Sequence, residues 1–102
     1  MVATDPIVVE IERDLHDIVN LFLEARSADL ARLDIACDAG QMEEVRAIGH
    51  KLHGSSGMLG FGAAGDIGAD LETSARAGDV VAVRREIAAL RDYLERLSIR
   101  YV

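Results

Sequence analysis

Apolar residues recur at three- and four-residue spacing in four separate stretches of the chain, which predicts four amphipathic helices. We predict helices from about 12–14 to 39, from just after 40 to 58–60, from about 63 to 77, and from about 80 to 98. The connections between these stretches are short, so sequential helices are expected to be antiparallel. The predicted fold is an all-α, up-and-down four-helix bundle.

Glycine and aspartate residues mark the predicted helix ends. Gly40 and Gly78 fit the position just past a helix, where a left-handed conformation ends it. Asp14 and Asp79 are predicted to cap the first and last helices, because their carboxylates accept hydrogen bonds from free N–H groups. Inside the third helix, Gly65 and Gly68 are interpreted as points of close packing between helices, although glycine weakens a helix interior.

The first eleven residues do not follow the helical pattern. Ile7-Val8-Val9 is β-branched, which stiffens the side chains and disfavours helix. We predict an extended arm that packs on the bundle, although Asp5-Pro6 also suits the start of a short extra helix. Leu21 and Leu23 widen the apolar surface of the first helix and are interpreted as contacts for this arm, with a docking surface as the alternative.

Composition limits the class of protein. A chain of 102 residues forms a single domain, here 1–102, with the arm over 1–11 and the helical bundle over 12–98. Half of the residues are hydrophobic and only 4% are aromatic, so the core is predicted to be aliphatic. The net charge of −7 argues against binding nucleic acid through its phosphates. One cysteine, Cys37, excludes an internal disulfide and fits a reducing compartment.

The chain shows no sign of a membrane or export segment. No stretch is long and apolar enough to span a bilayer, and residues 1–6 lack the basic start and apolar run of a signal peptide. A cytoplasmic location without membrane contact is therefore expected.

The stretch 46–61 places unlike residues on opposite faces of the second helix. Three aliphatic residues lie within about 20° of the side opposite His50, namely Ile48, Leu52 and Leu59. Four others lie within about 40° of His50 itself, namely Arg46, Gly54, Gly57 and Phe61. Since each glycine costs about 1 kcal/mol relative to alanine inside a helix, two of them beside an exposed histidine indicate that another molecule approaches closely there.

The segment His50-Lys51-Leu52-His53-Gly54-Ser55 resembles the hallmark of the histidine-containing phosphotransfer (HPt) domain family, His-x-Leu-Lys-Gly-Ser. The likeness continues through Leu71-Glu72 and Ala75-Arg76-Ala77-Gly78-Asp79 and covers roughly residues 15–97. The clear departure is His53, since the family usually has lysine there.

This resemblance implies a phosphocarrier of a multistep two-component phosphorelay, not an enzyme. His50 would accept a phosphoryl group from a receiver-domain aspartate and pass it to another receiver. The implied partners are receiver domains of response regulators or of a hybrid histidine kinase, and the carrier is expected to be a monomer. The chain contains no phosphate-binding Gly-x-x-x-x-Gly-Lys run, so no kinase activity of its own is expected. No cofactor is expected on the carrier, and Mg²⁺ is expected on the receiver.

The neighbours of His50 have candidate roles in this chemistry. Three basic residues are predicted to lie near the phosphoryl group, namely Arg46, Lys51 and His53. Four residues are predicted to form the docking surface for the partner, namely Gly54, Gly57, Met58 and Phe61. The two glycines would let the partner's loops reach the imidazole, while the two larger residues would add apolar contact.

Other interpretations of the same residues stay open at this point. His50 is an ordinary surface histidine in the simplest one, and His53 is the phosphoacceptor in another. A metal site would use His50, His53 and Glu43, although structural zinc prefers four ligands. A bundle that only docks a partner would show a similar surface. The dimerising bundle of a histidine kinase usually has an acidic residue after the histidine, where this chain has Lys51.

The histidine at position 53 generates a test of its own. Histidine is only partly charged near neutral pH, whereas lysine is fully charged, so phosphohistidine stability should depend more on pH here than with lysine. We expect hydrolysis of the phosphorylated protein to vary more steeply between pH 6 and 8 than in His53→Lys. Parallel pH profiles of the two proteins would contradict this expectation.

Overall fold

The structure is a computed structural model that describes residues 5–102, and it contains the four predicted helices. They are α1 (His16–Asp38), α2 (Met42–Ser56), α3 (Gly62–Arg76) and α4 (Val80–Arg96). Short 3₁₀ turns precede α1 (Arg13–Leu15) and follow α2 (Gly57–Leu59). Residues 1–4 lie outside the described residues. They include the start of the predicted arm and most of the segment 1–6, in which no signal peptide is predicted. The all-α four-helix prediction is confirmed.

The predicted arm is a β-strand, not a short helix. Strand β1 (Ile7–Ile11) pairs in parallel with β2 (Leu97–Tyr101), with Val9 opposite Ile99. The prediction that the last helix continues to about residue 98 is therefore wrong. Alternate residues of β2 turn towards the core, which is the two-residue period of a strand and overrides the helical pattern after residue 96.

The helix ends agree with the sequence in three of four positions. Gly40 and Gly78 have φ values of 71° and 68°, the left-handed conformation expected after α1 and α3. Asp79 caps α4 by accepting a hydrogen bond from the Ala82 N–H at 3.1 Å. The predicted cap Asp14 is wrong: it lies inside the 3₁₀ turn, and Leu15 occupies the cap position without a side-chain hydrogen bond.

The core is aliphatic apart from a few rings, and it draws on all four helices. Its fully covered side chains include Val19, Leu33, Val45, Leu52, Phe61, Leu71, Val83 and Leu90. Cys37 is buried and unpaired. None of the described helices has the length and apolar character that a bilayer crossing requires.

Helices α2 and α3 cross where two glycines meet. A Cβ added to Gly68 would lie 2.6 Å from the His53 nitrogen and 2.7 Å from the Gly49 oxygen. A Cβ added to Gly49 would lie 2.8 Å from the Gly68 oxygen. The predicted close packing at Gly68 is confirmed, whereas Gly65 leaves room for a Cβ at 3.6 Å from its nearest neighbour. Backbone therefore packs directly on backbone at this crossing.

This crossing predicts opposite effects for two glycines of the same helix. Gly49→Ala should lower the free energy of unfolding by about 1–3 kcal/mol, because the added methyl group forces α3 away. Gly54→Ala is the matched control: a Cβ there meets nothing within 4 Å. It should leave stability unchanged or raise it by about 0.5–1 kcal/mol. Urea unfolding of both variants measures these changes. Equal free energies of unfolding for the two variants would contradict the close backbone packing at Gly49.

Glu86 is a partly buried carboxylate between α3 and α4. One of its oxygens, Oε1, accepts a hydrogen bond from the Ser74 hydroxyl at 2.8 Å, while Oε2 is buried without a partner. Burial raises the pKa of Glu86 above its ordinary 4.5, with smaller raising effects from Asp70 and Asp79. The Ser74 hydrogen bond and the charge of Arg85 act in the opposite direction. Ionisation of Glu86 therefore costs more in the folded chain than in the unfolded one.

The raised pKa of Glu86 predicts how the free energy of unfolding should change with pH. The stabilising contribution of Glu86 is present below the ordinary glutamate pKa and is lost as pH rises through the raised pKa. Glu86→Gln should therefore be more stable than the natural protein at pH 7, by under about 1 kcal/mol because solvent screens the group. The difference should vanish at about pH 4. Thermal melts at both pH values test this, and a difference that grows on acidification would contradict it.

Candidate functional site

His50 projects into solvent from the middle of α2. Its side chain is 69% exposed, while Val45, Ile48 and Leu52 on the opposite side of the helix are buried. The aliphatic stripe fixes the helix against the core, so the imidazole stands outward on a rigid element. The predicted orientation of this residue is confirmed.

One ring nitrogen of His50 has a carboxylate partner on the neighbouring helix. Nδ1 lies 3.2 Å from Oε2 of Glu72 on α3, whose side chain is only 13% exposed. An ionised carboxylate only accepts hydrogen bonds, so this contact places the hydrogen on Nδ1. The lone pair of the neutral ring then belongs to Nε2, on the side of the ring away from Glu72.

The same Glu72 oxygen also faces two arginines. Nη2 of Arg76 lies 3.0 Å from it, and Nη1 of Arg46 lies 3.6 Å from it. Arg76 is one helical turn after Glu72, a spacing that favours ion pairs. Two cations therefore offset the Glu72 charge and hold its carboxylate beside the imidazole.

Arg46 is itself engaged by a second carboxylate. Its Nη2 and Nε donate to Glu43 at 2.6 Å and 3.0 Å. These hydrogen bonds lower the pKa of Glu43 and raise the pKa of Arg46. The guanidinium thus bridges two acids of the protein, Glu43 and Glu72.

The protein-family model of the Hpt domain matches residues 17–99 of this chain, close to the range expected from the motif. The chain belongs to the Hpt domain family. Hpt domains carry out histidine phosphotransfer in phosphorelays, interact there with receiver domains, and are carrier modules and not kinases. No curated protein and no solved structure matches the chain.

Most of the other predicted site residues of this Hpt domain surround His50 on the open surface. Lys51, His53, Gly54 and Gly57 are exposed, and Met58 is 88% exposed. A Cβ on either glycine would meet nothing within 4 Å. The described chain places no group of three or more His, Cys, Asp or Glu side chains where they could hold a metal ion.

Phe61 does not belong to this surface, and its predicted docking role is wrong. Its side chain is fully buried and stacks on Phe22, with ring centroids 4.8 Å apart and planes at 7°. The α-helix ends at Ser56, and a 3₁₀ turn and the left-handed Gly60 then redirect the chain. A helical projection at 100° per residue therefore fails before it reaches position 61.

Leu21 also departs from its simpler interpretation. It is 66% exposed, so the described part of the arm, residues 5–11, does not cover it. Leu23 is partly buried and packs against the core. An exposed leucine on α1 thus stays available to a partner.

Glu72, Arg76 and Gly49 were missed as site residues. Glu72 and Arg76 lie in segments that carry the family likeness, and their four-residue spacing is a signal for an ion pair. Nothing local in the sequence indicates that Glu72, with Arg76 beside it, lies next to His50, because that position depends on where α3 crosses α2.

Proposed function

We propose that this Hpt domain carries a phosphoryl group on Nε2 of His50, taking it from a receiver aspartate and passing it to another receiver. The observation that carries the proposal is the hydrogen bond between Nδ1 and Glu72, on a side chain that is otherwise open to solvent. It leaves the nucleophilic lone pair on the accessible nitrogen.

The transfer step needs no general base. The Nε2 lone pair attacks phosphorus, the P–O bond to the receiver's aspartate breaks, and that carboxylate keeps the bonding electrons. The Nδ1 hydrogen stays in place, so the phosphorylated ring needs no proton release. The return step reverses these bonds on a second receiver. Because phosphoryl transfer depends mainly on alignment and charge neutralisation, a rigid, oriented imidazole is what the carrier must supply.

Glu72 orients the ring, and its own charge would oppose the incoming phosphoryl group. Arg76 and Arg46 offset that charge at 3.0 Å and 3.6 Å. We assign Arg46 this indirect role, through Glu72, instead of direct contact with the partner. Lys51 is exposed beside His50 and provides positive charge near the phosphoryl oxygens, and the exposed His53 adds to this charge only when its ring is protonated.

The receiver is proposed to dock over the open surface next to His50. Gly54 and Gly57 present bare backbone there, and Met58 adds an exposed apolar contact. Leu21 on α1 is a further exposed apolar residue for this partner. The proposal includes Mg²⁺ on the receiver, a monomeric carrier, and receivers of response regulators or a hybrid kinase as partners in the cytoplasm.

The first test is transfer from a receiver charged on its aspartate in the presence of Mg²⁺. The natural protein should acquire acid-labile, base-stable phosphate, and His50→Gln should acquire none. His53→Gln and His16→Gln are controls that replace the other two histidines. Labelling of His50→Gln equal to that of the natural protein would refute the assignment. Phosphate lost only in His53→Gln would move the phosphoacceptor to that residue.

A second test concerns orientation by Glu72. Glu72→Ala should slow transfer roughly 10-fold, the equivalent of one hydrogen bond of about 1.4 kcal/mol, while binding of the receiver stays unchanged. Nitrogen NMR of the neutral imidazole should then show a mixture of the Nδ1–H and Nε2–H tautomers instead of the Nδ1–H tautomer alone. Glu43→Ala is the control, since Glu43 contacts Arg46 but not the imidazole. Equal rates in both variants would contradict the role of Glu72.

A further inference from the structure

Arg26 of α1 contacts the end of α2 by two separate routes. Its Nη1 donates to the Ser55 hydroxyl at 3.3 Å, a side-chain hydrogen bond from α1 to α2. Its guanidinium also lies 4.7 Å from the centre of the Phe22 ring, which in turn stacks on Phe61 just beyond α2. Both routes end in the segment that follows His50.

A buried ion pair fixes the direction of this guanidinium. Nε of Arg26 donates to Oδ2 of Asp29 at 2.8 Å, and the two side chains are only 13% and 11% exposed. The planar guanidinium has its donors in a fixed fork, so binding Asp29 through Nε aims Nη1 in a set direction. That direction meets Ser55.

The segment that Arg26 contacts is intrinsically weak as a helix. Gly54 and Gly57 favour the unfolded chain. The hydroxyls of Ser55 and Ser56 donate to carbonyls four residues back, at 2.9 Å and 2.7 Å, a pattern that bends helices. In the helical ladder, the N–H of Gly54 bonds the carbonyl of His50. Fraying of this last turn would therefore free the His50 carbonyl from its hydrogen bond.

We propose that Arg26 is a positioning residue for phosphotransfer, which keeps the last turn of α2 helical and so holds the His50 imidazole in line. It acts through Ser55 and through the Phe22–Phe61 stack, not on the phosphoryl group. Its burial leaves little surface for a receiver to contact. The inference rests on the proposed function of His50, but its effect on the helix is independent of that function.

The test uses Arg26→Met with Asp29→Asn, which removes both charges together and leaves no buried charge unpaired. Amide exchange of residues 54–57 should rise at least about 10-fold, while exchange in α4 stays unchanged. The kcat for transfer from a charged receiver should fall about 10-fold with KM unchanged, because alignment is lost and docking is not. Ser55→Ala keeps the ion pair but removes both the Arg26 contact and the Ser55–Lys51 hydrogen bond. Faster exchange of the same amides in this variant is expected, because the lost Arg26 contact outweighs the relief of that bending hydrogen bond.

Matched controls separate positioning from general stability. Arg91→Met with Asp34→Asn removes an arginine–aspartate pair that joins α1 to α4, and it should alter neither exchange at 54–57 nor kcat. Ser27→Ala, which changes an exposed serine of α1, is the control for Ser55→Ala. Unchanged exchange at 54–57 in both Arg26→Met/Asp29→Asn and Ser55→Ala would overturn the proposal. A kcat equal to that of the Arg91 control would overturn it as well.

Failure of the two proposals gives different results. If the natural protein accepts no phosphate from receivers that charge other carriers, the proposed function fails and the role of Arg26 in transfer fails with it. Amide exchange then still decides whether Arg26 holds the helix. If the natural protein is phosphorylated and exchange does not change, only the Arg26 proposal fails.

Discussion

The contact between Gly49 and Gly68 sets the distance between α2 and α3, and the site depends on that distance. Gly49 directly precedes His50, and a Cβ on it would lie 3.0 Å from the backbone nitrogen of Glu72. The absence of two side chains thus brings the Glu72 carboxylate within hydrogen-bond reach of the imidazole. A larger residue at either glycine would separate the helices and break the arrangement that orients the ring.

Charge is distributed unevenly over the molecule. The chain has a net charge of −7, yet the surroundings of His50 combine three cations, Arg46, Lys51 and Arg76, with the acids Glu43 and Glu72. Arg46 and Arg76 are held by Glu72, so their charge is fixed in place beside the ring and not spread over mobile side chains. In the proposed function, these fixed cations and the exposed Lys51 would steer an acidic partner site more than they add to stability.

The sequence predicted the features that depend on local patterns, namely the helices, two left-handed glycines, the Asp79 cap and the exposure of His50. It failed where a distant segment decides the outcome. Strand β2 pairs with β1 from the other end of the chain, so residues 97 and 98 leave the helix. Phe61 lies past a change from α-helical to 3₁₀ geometry, which turned an apparent surface residue into a core residue. The position of Glu72 beside His50 depends on where α2 and α3 cross, and no spacing within either helix predicts that crossing.

The most direct measurement of the central claim is nitrogen and phosphorus NMR of the ¹⁵N-labelled protein, charged by a receiver phosphorylated on its aspartate. We expect a single ³¹P–¹⁵N coupling, to Nε2 of His50, with the hydrogen retained on Nδ1 next to Glu72. A coupling to Nδ1 of His50, or to either nitrogen of His53, would contradict it.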